Sequence, residues 1–189
     1  ESEIKSLRVI KKLNEESVLD VIPTFLGAHS FPPEYSDNHE GFVDLVCGEM
    51  IPAIASENLA KYCDVFCEDG YFTVNQSRRI LETAKEFGIA PRLHADEFKD
   101  SGAAELAAEI GAVSADHLMA ASEKGIKAMI LSGVIATILP GTTLFLGMNK
   151  YVDGRKLIDS GCDVSLATDF NPGSCTIQSM PLIISLAVL

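Results

Sequence analysis

Positive charge is scarce in this sequence. Fifteen Lys and Arg face 27 Asp and Glu in 189 residues, a formal net charge of -12, and the isoelectric point is near 4.7. Nucleic acid and anionic membrane surfaces both reward a basic face, so neither is an expected partner. Any run of about 18 apolar residues is also missing, and no transmembrane span is expected. The first residues have neither an initiator Met nor the charged-then-apolar profile of a signal peptide. Residues 181–189 stop inside an apolar stretch, and both ends read as cut. The five cysteines, Cys47, Cys63, Cys67, Cys162 and Cys175, are odd in number and scattered. That pattern argues against a disulfide framework or a Cys-rich zinc site, and for reduced, mostly buried thiols in a cytoplasmic protein.

What the chain does have is apolar material, 47% of its residues, enough for one domain or a large piece of one. Short apolar segments at 21–28, 64–67, 91–94, 113–117, 134–139 and 163–167 read as buried strands. Their character is continuous more than alternating, as in strands covered on both faces. Between them, 74–87, 101–110, 122–131 and 150–160 have helical character, each with a Gly at or near its end. Strand–helix units repeated in this way predict a parallel sheet, either doubly wound or closed as a (β/α)8 TIM barrel.

Polar groups at the strand ends choose between the two. His29, Glu68, His94, His117 and Asp169 each follow or end a proposed strand. In a barrel those ends converge on one mouth. No G-x-G-x-x-G or G-x-x-x-x-G-K-[ST] turn occurs, as a nucleotide-binding doubly wound sheet would favour. The expectation is therefore a barrel with six of its eight strands visible.

Three motifs carry the chemistry: His94-Ala95-Asp96-Glu97, Ala115-Asp116-His117, and Thr168-Asp169-Phe170-Asn171-Pro172-Gly173-Ser174. Imidazole and carboxylate are fitting ligands for zinc or ferrous iron. A carboxylate beside an ion-bound water can also take its proton. Taken singly, a strand-end His is more often a hydrogen-bonded structural residue, and an Asp before Asn-Pro-Gly more often forms a turn. Joint placement favours a site, since three of the four His fall at strand ends. His39, in a polar stretch, reads as solvated.

The order His, His, Asp on successive strand ends resembles the amidohydrolase superfamily. Within it, Thr24–Phe25–Leu26–Gly27–Ala28–His29, Asp64–Val65–Phe66–Cys67–Glu68, His94–Ala95–Asp96–Glu97 and Asp169–Phe170–Asn171–Pro172–Gly173 are similar to segments of the imidazolonepropionase family in matching order. The resemblance spans nearly the whole chain. It implies barrel strands three to eight, with residues 1–189 an incomplete metal-dependent hydrolase domain. The strand-one His-x-His pair of ligands is not found, and an Arg and a Tyr that contact substrate would lie upstream.

The same resemblance implies one divalent ion, zinc or iron, held by His94 and Asp169. It implies substrate contacts from His29, Glu97, Asn171, Gly173 and Ser174, and catalytic roles for Asp169, His117 and Glu97. His117 is left open between metal and substrate. The implied partner is a small molecule, 4-imidazolone-5-propanoate, opened by water to N-formimidoyl-L-glutamate in histidine degradation, with a homodimer for the complete enzyme. Two alternatives stand beside this: a zinc nucleobase deaminase of the same superfamily, and a chain that is inactive by itself.

Overall fold

The computed structural model describes residues 2–189. Six strands, β1 (Thr24–Ala28), β2 (Tyr62–Cys67), β3 (Ala90–Ala95), β4 (Ser114–His117), β5 (Ile135–Ile138) and β6 (Val164–Leu166), form one sheet in the order β1-β2-β3-β4-β5-β6. All five pairings are parallel. A doubly wound sheet reverses its strand order at a switch point. This one never reverses, so each strand adds on the same side of the last, which is the winding of a barrel. Six parallel strands in sequence order make a partial TIM barrel, as expected from the sequence.

The helices are α1 (Ser2–Glu16), α2 (His39–Leu45), α3 (Ile51–Ser56), α4 (Val74–Glu86), α5 (Ala103–Ile110), α6 (Glu123–Ser132), α7 (Pro140–Phe145), α8 (Gly154–Asp159) and α9 (Met180–Ala187). Among the described residues, none is long and apolar enough to cross a membrane. Local chemistry sets several boundaries. The Thr73 side chain accepts from the Gln76 N–H while the Gln76 side chain accepts from the Thr73 N–H, a reciprocal cap that starts α4. Gly133 ends α6 at φ 73°, a left-handed conformation costly for other residues. The helix expected over 150–160 begins only at Gly154. The Asp153 side chain accepts from the Lys156 N–H, so Asp153 is the N-cap and the residues before it are not helical.

Burial on both faces, as expected, holds for β2, β4 and β5, nearly all of whose residues are buried, but β3 departs from it. Pro91, Leu93 and Ala95 on β3 are buried and alternate with the less buried Arg92 and His94. Cys63, Val65 and Cys67 on β2 and Ala115 on β4 join the hydrophobic core, whereas Asp64, Ser114 and Asp116 are buried polar neighbours. Successive side chains of a strand point to opposite faces. One face packs in the apolar core and the other lines a polar barrel interior. All five cysteines are free; four are buried and Cys47 is half-buried.

Candidate active site

Strand carboxyl ends meet around a cavity of about 520 Å³. His29 after β1, His94 on β3, Glu97 after it and His117 at the end of β4 all line it. So do Asp169, Asn171, Gly173 and Ser174 from the segment after β6. Every residue assigned from the sequence is thus brought to one place. Glu68 is not among them, and His39 lies elsewhere, exposed at the start of α2 with its ring stacked on Phe31 at 3.8 Å.

Backbone strain collects at these ends. His117 (φ 74°), Leu118 (φ 61°), Asp96 (φ 48°) and Asp169 (φ 52°) are left-handed without being glycine. Each such residue costs about 1–3 kcal/mol and persists only where its surroundings hold it. For Asp96 the hold is visible. Its fully buried carboxylate accepts from the N–H groups of Ser101, Ala103 and Ala104 and from the Ser101 hydroxyl, at 2.9–3.1 Å. That fastens the loop after β3 to the start of α5.

The three imidazoles form a chain. His94 lies 5.5 Å from His29 and 5.3 Å from His117, between ring centroids. Their charges diverge with their partners. Burial alone would lower the His94 ring, but the Asp64 carboxylate outweighs it and the ring is pushed up to about 9. His117, buried and beside His94, is pushed down to about 3 and is neutral at pH 7. Burial, then the neighbouring His94 charge, lowers His29 as well. Glu97 is pushed up to about 7 by burial, with Asp169 and Glu68 adding to the shift against the opposing pull of His94. Its Oε1 is 3.6 Å from His117 Nδ1, a close approach beyond hydrogen-bond length.

Some contributors had no motif to mark them. Asp64, buried on β2, takes both the ring and the backbone N–H of His94. Glu68, also buried, accepts from the N–H groups of Asp69 (2.8 Å), Phe98 (2.8 Å) and Lys99 (3.3 Å), and so pins the loop that carries Glu97. Thr142 Oγ1 donates to Asp169 Oδ2 at 2.6 Å. Phe66, Tyr71 and Phe98 give the cavity an aromatic wall, with the His29 ring stacked on Phe66 at 5.3 Å. Apolar character at a strand end cannot be told from core by sequence alone. The Asn171 side chain is used within its own turn: Oδ1 accepts from the N–H groups of Gly173 (2.9 Å) and Ser174 (2.7 Å).

The donor set fits a divalent ion. Asp64 occupies Nδ1 of His94 and leaves Nε2 as the ring nitrogen available to a ligand, the usual arrangement of a metal-binding His backed by a carboxylate. His94 and Asp169 would be this chain's ligands. Asp64, His94 and Asp116 also offer ligand atoms within 4.8 Å of one another. There the cation is already present, because Arg92 donates to Asp116 Oδ2 at 3.0 Å. The second such cluster, Asp96, Asp100 and Glu105, is built on the Asp96 carboxylate already engaged in holding α5.

The parallel sheet, wound as part of a barrel, gathers imidazoles and carboxylates at its strand ends. Solved structures agree in fold. Guanine deaminase from C. acetobutylicum, with guanine in its active site, superposes with a TM-score of 0.73 at 15% identity, over 99% of this chain and 47% of that one. An adenosine deaminase from Xanthomonas campestris with bound zinc gives 0.59 at 15% identity, over 86% of this chain and 39% of that one. No family model matches the chain.

Sequence relatives are more specific. The chain is 51% identical to an imidazolonepropionase of Alkaliphilus oremlandii over 100% of its own length and 45% of the relative's. To that of Shouchella clausii it is 53% identical, over 100% and 42%. The chain is thus similar to imidazolonepropionases along its whole length and spans less than half the length of these curated relatives.

Proposed function

We propose that this chain forms the larger share of the active site of a hydrolase that opens 4-imidazolone-5-propanoate with water to give N-formimidoyl-L-glutamate, a step of histidine degradation. The observation that carries the reading is the gathering of His29, His94, Glu97, His117, Asp169 and the Asn171–Ser174 turn around one cavity, in a chain about half identical to proteins of that name. A divalent ion, zinc or iron, would supply a Lewis acid and a water of lowered pKa when held by His94 and Asp169.

The chain's own groups divide the remaining work. Asp169 is the base that accepts the proton of the attacking water, with Thr142 fixing one of its oxygens. Attack makes a carbon–oxygen bond at the ring carbonyl and breaks the carbon–nitrogen bond of the cyclic amide. Glu97, pushed up to about 7, is protonated in about half of the molecules at neutral pH, and in that form it delivers its proton to the departing nitrogen. Neutral His117 or His29 donates a hydrogen bond to the carbonyl oxygen as negative charge develops there. The flat ring packs against the aromatic wall at Tyr71 and Phe98, which are its exposed members. The propanoate carboxylate binds at the Asn171–Ser174 turn, whose shape is set by Asn171 Oδ1 accepting from the Gly173 and Ser174 N–H groups.

Loss of imidazolonepropanoate absorbance, followed in a full-length protein carrying this chain, tests the reading directly. Turnover of that substrate, and none of guanine or adenine, is the expected result. Turnover of a nucleobase instead would establish the deaminase reading, to which the solved structures contribute the fold alone.

A further inference from the structure

We propose that Asp64 is a positioning residue for His94, fixing the ring's tilt and tautomer so that Nε2 is the bare nitrogen presented to the cavity. This rests on the metal-hydrolase reading for its use, but the geometry stands by itself. Asp64 is 3% exposed on β2. Its Oδ1 lies 2.8 Å from His94 Nδ1 and 3.1 Å from the His94 backbone nitrogen, so one oxygen grips both ring and main chain of a residue 30 positions away. An ionised carboxylate can only accept hydrogen bonds. Nδ1 must therefore carry the hydrogen, and in the neutral ring Nε2 has the free lone pair.

The neighbouring charges are already paired elsewhere, which leaves Asp64 to His94. Arg92 Nε donates to Ser114 at 2.9 Å and its Nη2 to Asp116 at 3.0 Å, and Ser114 Oγ donates to the second Asp116 oxygen at 3.1 Å. A ring that turned to offer Nδ1 to the cavity would leave the Asp64 carboxylate buried without its side-chain partner, a loss larger than that of an ordinary hydrogen bond. An imidazole left to itself would populate both tautomers, and only one of them has its lone pair aimed at the site.

The test needs no turnover. In the 15N-histidine-labelled chain, with four His to assign and His94→Ala to mark the signal, a long-range 1H–15N spectrum at alkaline pH reads the neutral tautomer. Hydrogen on Nδ1 in the parent chain, replaced by a mixture or by hydrogen on Nε2 in Asp64→Asn, is the expected result. Hydrogen on Nε2 in the parent, or an unchanged tautomer in Asp64→Asn, overturns the proposal. Zinc titration of the same three proteins measures separately what the positioning is used for. Asp64→Asn is expected to weaken zinc about 10–100-fold and His94→Ala to weaken it further. Zinc affinity unaffected by His94→Ala would sink the metal reading, while the spectra still decide the tautomer.

Discussion

Glu97 keeps its proton near neutral pH because its carboxyl is buried, and this has consequences for both rate and stability. An acid whose folded-state pKa is raised from 4.5 to about 7 holds its proton where the unfolded chain has released it. Stability then falls as pH rises across that interval, by about 1–2 kcal/mol once solvent screening is allowed for. In the metal-free chain at low concentration, Glu97→Gln is expected to remove this loss, which urea denaturation at pH 5 and pH 8 would measure. In a full-length active protein the same substitution should lower kcat more than it changes KM, because a proton donor acts only as the bond breaks. Asp169→Asn, which cannot take a proton, should reduce kcat by about 10²–10⁴-fold with the fold intact by circular dichroism. Asn171→Ala should act in the opposite sense, raising KM about tenfold with kcat nearly unchanged. A reversed pattern between Glu97 and Asn171 would mean that the binding and chemical groups are exchanged.

At the scale of elements, the loop after β3 is held by two buried carboxylates. Asp96 binds the start of α5, and Glu68, from the end of β2, binds the N–H groups of Phe98 and Lys99. Between them they leave Glu97 little freedom. Asp96→Ala strips several buried donors of their acceptor and removes the support of a left-handed residue. A loss of about 2–4 kcal/mol is expected by chemical denaturation. Glu68→Ala should loosen only the 97–99 segment, seen as faster hydrogen exchange at Phe98 and Lys99 with little change at α4.

The whole molecule is an open sheet. Among the described residues β1 and β6 are each paired on one side only, and a barrel of this type closes with eight strands. Unpaired edges of parallel strands invite pairing with other chains. The isolated chain is therefore expected to self-associate as its concentration rises, to take up less than one equivalent of zinc, and to show no hydrolase activity. Sedimentation velocity, metal analysis and the imidazolonepropanoate assay check these three outcomes. Supplying the amino-terminal part of a family member, fused or as a separate chain, should suppress association and raise zinc uptake. A monomeric chain with full zinc occupancy and turnover would show that six strands suffice.

The strand–helix rhythm, the glycines that close α4 and α6, and the reactive residue types at strand ends were all legible in the order of residues. Those signals are local: a stop or a polar group after an apolar run acts within a few positions of itself. The family resemblance added roles for particular residues. It took the folded sheet to make the barrel interior polar, to assign Asp64 to His94 and Arg92 to Asp116, and to let Glu68 hold the loop of Glu97 without lining the main cavity. These pairings join residues 24–31 positions apart. They exist because parallel register sets Phe66 beside His94 and His94 beside Asp116. A one-residue slip would turn each side chain to the other face, and nothing short of the paired sheet specifies which register is taken.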